Sequence, residues 1–244
     1  KLCGKTKGKL TSDLAAYVQS TRGLDAMLRE LQALRGVRMN FASDFDAHPD
    51  LLAVANGIVD LRTGELKPYS EETKALYLIR RVNVPYNPTA TCPRWERFVN
   101  EIVYDPFRNQ TRPKLADYLQ VLMGYAITGH TTDSVIAVFK GEGANGKSVF
   151  LDTLSHVFEE HTKVTSFSTF ERSDGGSSGG AASPDIASLA GARLVVASEG
   201  ENGKAMATAL LKRLSGNEKV SARFLYKEEF TFKPQAQIIL ATNH

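Results

Sequence analysis

The stretch Gly141-Glu-Gly-Ala-Asn-Gly-Lys-Ser148 decides how the rest of the chain is read. It fits GxxxxGK[ST], follows the strand-like run Val135-Ile-Ala-Val-Phe139, and precedes a segment with Leu151, Leu154 and Phe158 on one side at helical spacing. Strand, glycine loop and helix in that order form a phosphate cradle. Glycines let backbone N–H groups close around phosphate oxygens, and the helix N-terminus adds its partial positive charge. Lys147 then reaches the β and γ phosphates, and Ser148 ligates Mg²⁺. A chance glycine loop matches this pattern in on the order of one per cent of chains of this length, and the flanking strand and helix weigh against chance. The predicted nucleotide contacts are Gly141, Glu142, Gly143, Ala144, Asn145, Gly146, Lys147, Ser148 and Val149.

A phosphate loop alone leaves the reaction open, so the following segments matter. Arg193-Leu-Val-Val-Ala-Ser-Glu199 reads as a short buried strand ending in an acid, which places a carboxylate beside Mg²⁺ and an attacking water. Glu199 is the candidate for polarising that water and, with Ser148, for holding the metal. Ser198 stands where an aspartate is usual, and Glu201 is a weaker substitute. Taken alone, Glu199 reads equally well as a strand end in solvent. Gln237-Ile-Ile-Leu-Ala-Thr-Asn243 is a second buried strand, and Asn243 can hydrogen-bond a γ-phosphate or the water without adding negative charge. The predicted catalytic set is therefore Lys147, Glu199 and Asn243.

Between those strands, Val220-Ser-Ala-Arg-Phe-Leu225 and Phe230-Thr-Phe-Lys233 flank Tyr226-Lys-Glu-Glu229, a hairpin with Lys227 at its tip. Tyr226 and Lys227 suit a base or sugar and a phosphate of DNA, with Arg223 in support. The plainer alternative is an exposed turn kept soluble by its charges, among which Glu228 and Glu229 dilute the positive field.

Upstream, Leu14, Tyr17 and Val18, then Leu24, Met27, Leu28, Leu31 and Leu34, recur at steps of three and four and predict a helical N-terminal layer. Asn56 to Lys67 reads as a small hairpin turning at Gly64. Trp95, Phe98, Val99 and Ile102 form one helical face, and Leu115, Tyr118, Leu119, Leu122 and Met123 another that ends at Gly124 or Gly129. From Ser134 the character becomes α/β with a largely parallel sheet, which sets a domain boundary near Thr131. The glycine- and serine-rich stretch 173–184 reads as a mobile loop or linker.

A formal charge of +3 in 244 residues permits nucleic acid as a partner without requiring it. Cys3 and Cys92 lie far apart with no CxxC pair, which argues against a disulfide framework or a zinc site. No apolar run reaches the ~20 residues that cross a bilayer, so the expected location is cytoplasmic, with no membrane partner.

Taken together, these segments resemble the superfamily 3 helicases, specifically the primase-helicase family of phages, plasmids and satellite phages, with poxvirus primase-helicases as distant relatives. The resemblance rests on GxGxNGKS at 141–148 with Asn145, on Gly191 to Glu199, on Leu211 to Lys227 and on Ile239 to His244. Phe45 to Leu52, Asn56 to Glu65 and Gly124 to Gly129 are similar to that family's accessory domain, where His48 reads as a surface residue. The resemblance implies an AAA+-like P-loop NTPase core at 132–244 after a mainly helical accessory domain at 1–131. It also implies ATP and Mg²⁺, a hexameric ring around single-stranded or forked DNA, and a primase domain or subunit as partner. Its trans-acting arginine and last motor elements fall beyond His244, so the chain reads as part of a longer motor. Lys212 and Arg213 read as a solvated helix face in preference to contacts with a neighbour's nucleotide. Two rivals stand beside this reading: a small-molecule kinase, which the hairpin disfavours, and an ATP-binding replication-initiation scaffold, which Ser198 leaves open.

Overall fold

The structure is a computed structural model that describes residues 14–34, 43–105, 107–172, 183–198, 205–216 and 218–243. The chain divides into two compact units, Lys1–Phe41 and Ala42–His244. In the first, residues 14–19 (α1) and Thr21–Ala33 (α2) are helical as the three-and-four spacing predicts. Ser20 caps α2 by accepting from the Gly23 N–H at 3.1 Å. Its apolar residues Leu24, Met27, Leu28 and Leu31 stay exposed.

The second unit is built on a four-stranded parallel sheet: β6 (Ile136–Lys140), β7 (Thr162–Ser166), β8 (Leu194–Ser198) and β11 (Gln237–Thr242), in the order β6-β11-β8-β7. β8 and β11 are near-continuous apolar runs because helices or loops cover both faces. Their side chains alternate between the two layers. Val195, Ala197, Ile238 and Leu240 face one core with Leu211 and Leu214 of α8 (Thr208–Ser215). Leu194, Val196, Ile239 and Ala241 face the other. Each buried Leu, Ile or Val side chain among them contributes about 1.5–3 kcal/mol.

Three helices cover that second face: α4 (Pro93–Ile102), α5 (Pro113–Thr128) and α6 (Lys147–Phe158). α4 and α5 both begin on proline, whose fixed φ and missing N–H suit a first helical position. α5 runs through Gly124 and stops at Gly129, which adopts φ 72° as the left-handed cap.

The hairpin expected at 56–67 is the last two strands of a three-stranded antiparallel sheet, β1 (Leu51–Val54), β2 (Gly57–Asp60) and β3 (Glu65–Lys67). The one-turn α3 (Glu71–Lys74) and a short ladder of β4 (Tyr104–Asp105) with β5 (Gln110–Thr111) complete this part. A one-turn α7 (Pro184–Ala187) leads into β8, and β9 (Val220–Ala222) pairs antiparallel with β10 (Phe230–Phe232). The linker assigned to 173–184 lies largely outside the described residues. Among the described residues no helix is long and apolar enough to cross a membrane.

The boundary expected near Thr131 coincides with no edge between units: residues 42–244 form one compact unit, and its first part carries a sheet as well as helices. The physical reason is at Arg193, which is 1% exposed. Its Nη1 donates to the Ile127 carbonyl at 2.7 Å, and its Nη2 to the carbonyls of His48 and Leu51 at 3.1 and 2.8 Å. Arg80 makes a second tie, donating to Asp46 at 2.7 Å and to the Ala190 carbonyl at 3.0 Å. Burial draws the Arg193 guanidinium down to about 10, which leaves it charged at neutral pH.

Candidate functional site

Strands β6, β11 and β8 end side by side, with Thr242 opposite Lys140 and Ala241 opposite Ser198. The Gly141 N–H donates to the Thr242 carbonyl at 3.3 Å, so the glycine loop leaves the sheet as one more rung of its ladder. Ala144 at φ 60° and Gly146 at φ 82° then turn the chain back into α6. Gly146 caps that helix without a side-chain bond, and its carbonyl already accepts from the Phe150 N–H at 2.9 Å. Helix geometry gives the first-turn N–H groups of Ser148 and Val149 no intrahelical acceptor.

Lys147 is half-buried, and its ammonium is ringed by the loop's own acceptors. Nζ donates to the carbonyls of Gly141 and Glu142, the latter at 3.3 Å, and to Asn145 Oδ1 at 3.0 Å. This arrangement gives a reason for Asn145 in the motif: it holds the lysine, while its Nδ2 occupies the space a Cβ on Gly141 would need. Gly143, by contrast, has open space at that position.

A cleft of about 320 Å³ lies over these strand ends. The loop from Gly143 to Val149 forms one wall, and Ser198, Ala241, Thr242 and Asn243 form the other. The structure thus brings together Lys147, Ser148 and Asn243, three of the residues singled out in the sequence. Gly141 and Glu142 support the lysine through their carbonyls instead of lining the cleft. Glu199 and Glu201 lie outside the described residues; Ser198, immediately before Glu199, faces the cleft and is exposed. Sequence reasoning missed Thr242, although its place just before Asn243 at the end of a buried strand was the available signal. Among the described residues no group of three or more His, Cys, Asp or Glu is assembled to hold a metal.

Away from the cleft, β9 and β10 pair in register from Ala222 with Phe230 to Val220 with Phe232. The turn closes where the Lys227 N–H donates to the Phe224 carbonyl at 3.2 Å. Tyr226 sits at φ 60° and is fully exposed, so the tip is aromatic and apolar as much as cationic. Phe224 stacks on Phe230 with centroids 5.8 Å apart, which stiffens the base of the tip. Arg223 is half-buried just after β9 and Lys227 is exposed; no residue from Arg223 to Glu229 lines the cleft. Lys212 and Arg213 lie on the exposed face of α8.

The fold and cleft define a mixed α/β chain with a parallel sheet whose carboxyl ends meet a glycine loop at a helix N-terminus. Residues 1–104 match a family model described as D5 N terminal like. Residues 139–244, from within β6 through the loop, hairpin and β11, match one described as Family of unknown function (DUF5906). Over 212 residues the chain is 25% identical to a "Putative helicase" of Acanthamoeba polyphaga mimivirus, covering 84% of this chain and 20% of that protein. Over 148 residues it is 26% identical to a "Putative helicase" of Invertebrate iridescent virus 6, covering 59% of this chain and 14% of that protein. The chain therefore spans a fifth or less of the length of these relatives. Among solved structures, an apo structure of the NrS-1 C terminal region is similar at a TM-score of 0.45 and 18% identity, covering 64% of this chain and 35% of that one.

Proposed function

We propose that this chain is the motor segment of an ATP-dependent DNA helicase acting in phage or plasmid DNA replication, of the superfamily 3 primase-helicase type. The observation that carries the reading is the meeting of Lys147, Ser148 and Asn243 in one cleft at the carboxyl ends of β6, β8 and β11. Open parallel sheets take their ligands at such ends. The two viral relatives, each about a quarter identical, support the reading by their names.

The chemistry of the cleft supports this reading at its phosphate end. The first-turn N–H groups of α6 face it, no side chain caps that helix, and a lysine sits at its mouth on acceptors that phosphate oxygens can replace. In this reading Lys147 binds the β and γ phosphates, Ser148 and Glu199 hold Mg²⁺, and Glu199 orients the attacking water. Asn243 hydrogen-bonds the γ-phosphate or that water. Bound ATP and Mg²⁺ supply the transferable phosphoryl group and neutralise its charge. Tyr226 and Lys227, supported by Arg223, contact single-stranded or forked DNA. Six copies form a ring, with an arginine from each neighbour reaching the γ-phosphate and a primase domain or subunit alongside.

A second reading is favoured by Ser198, which lines the cleft where an acid is usual. An ATP-binding replication-initiation scaffold needs only slow hydrolysis to switch its hold on DNA. Fluorescent-ATP binding by this chain, together with ATP turnover by the full-length protein with and without single-stranded DNA, separates the cases. DNA-stimulated turnover, lost in Lys147→Ala along with at least about tenfold in ATP affinity, is the motor result. Binding without stimulation is the scaffold result, and absence of Lys147-dependent binding refutes both.

A further inference from the structure

One close contact on the glycine loop comes from a helix that the motif does not contain. Gly146, at φ 82°, turns its Cα toward α4: a Cβ built there would collide with Ile102 Cγ2 and lie 3.5 Å from Phe98 Cε2. Behind this contact the same helix face is fastened to α6. Trp95 packs on Phe98 with centroids 5.4 Å apart and stacks on Phe150 at 5.3 Å and 20°. Phe150, buried in α6 two residues after Ser148, also touches Phe139 of β6, the strand that leads into the loop. One face of α4 therefore touches the residue that caps α6, while its aromatic end holds the first turn of that helix.

We propose that α4 is the backing plate of the glycine loop and that Ile102 and Phe98 are positioning residues for the phosphate site, acting through Gly146. The inference rests on the nucleotide reading above. Neither side chain lines the cleft, so neither is a catalytic residue. Their role is mechanical: with Ile102 in place Gly146 cannot retreat, and the N–H groups of Ser148 and Val149 stay aimed at one point. A gap behind Gly146 lets the loop relax away from that point, and misplacement by about 1 Å is enough to cost on the order of a hundredfold in a positioned site.

The control lies on the same helix. Val99 is half-buried like Ile102 but faces the groove between α4 and α5, away from Gly146. Wild type, Lys147→Ala, Ile102→Ala, Ile102→Val and Val99→Ala are compared by fluorescent-ATP titration and by urea midpoint. Ile102→Ala is expected to weaken ATP binding by on the order of tenfold, Ile102→Val to restore most of it, and Val99→Ala to leave it within about twofold at a similar urea midpoint. Equal affinities for Ile102→Ala and Val99→Ala overturn the positioning role while the nucleotide reading survives. Absence of Lys147-dependent binding in wild type overturns the nucleotide reading, and the positioning role falls with it.

Discussion

Acidification from pH 7.5 to 5.0 should destabilise residues 42–244 through one side chain, His161. The imidazole is 2% exposed, and neither ring nitrogen has a hydrogen-bond partner. Burial, then the nearby guanidinium groups of Arg193 and Arg80, draws its pKa down from 6.5 to about 3. As pH falls below 6.5 the unfolded chain takes up a proton that the folded chain refuses until about pH 3. Stability contributed by the neutral ring is thus complete above pH 6.5 and is lost on the way down to about pH 3. Each pH unit in that window costs about 1.4 kcal/mol, so pH 5.0 costs about 2 kcal/mol relative to pH 7.5. Asp50, whose carboxyl is held below its usual 3.8 by the His130 hydrogen bond, loses its contribution only below about that value and leaves the interval from pH 7.5 to 5.0 clear. Urea unfolding followed by Trp95 fluorescence at the two pH values, in wild type and His161→Leu, isolates the effect from the other histidines. The variant should lose about 2 kcal/mol less than wild type on acidification. At pH 7.5 it should be close to neutral, since it exchanges two unpartnered buried nitrogens for apolar atoms of similar volume. The same pH dependence in both proteins would falsify the assignment.

Two further substitutions test the architecture by chemical denaturation. Arg193→Met strands the carbonyls of Ile127, His48 and Leu51 and should cost about 3 kcal/mol, whereas a loss under about 1 kcal/mol would mean that water reaches those groups. Gly146→Ala should cost about 2 kcal/mol or more through its φ of 82° and the contact with Ile102, while Gly143→Ala, in open space, should cost less than about 0.5 kcal/mol. Equal costs at the two glycines would refute the packing described behind the loop.

The parallel sheet was legible because β8 and β11 are unbroken apolar runs and because a glycine loop after an apolar strand has few other meanings. That Lys147, Ser148 and Asn243 come together in one cleft was legible for a related reason: each sits where an element begins or ends, and polar residues at such points stand out from the apolar runs beside them. The tie between the first part of residues 42–244 and the sheet was not legible. Nothing in Arg193-Leu-Val-Val says that its arginine turns inward to carbonyls 66, 142 and 145 residues away, since a lone charge before an apolar strand reads as a solvated end. β1 escaped notice because Leu51 to Val54 carries no polar alternation, the sign by which a half-buried strand is recognised. The helical face Trp95, Phe98, Val99 and Ile102 was visible, but periodicity names a face and never its partner, so the contact with Gly146 had to come from the structure. The exposed tyrosine at the hairpin tip belongs to the same class: a turn was evident, its φ was not.

The guanidinium of Arg193 bears on what can be moved as a piece. A chain beginning at residue 132 would keep the loop, the four strands and the hairpin. It would lose every acceptor that the Arg193 side chain uses, together with the two helices that dry one face of the sheet. Such a fragment would carry a guanidinium stripped of its partners and a broad apolar surface open to solvent, which favours aggregation. The loop-bearing half is thus not a cassette that can be grafted onto another protein. Transplanting it means transplanting the segment from Asp46 onward, because the groups that satisfy its deepest charge lie there.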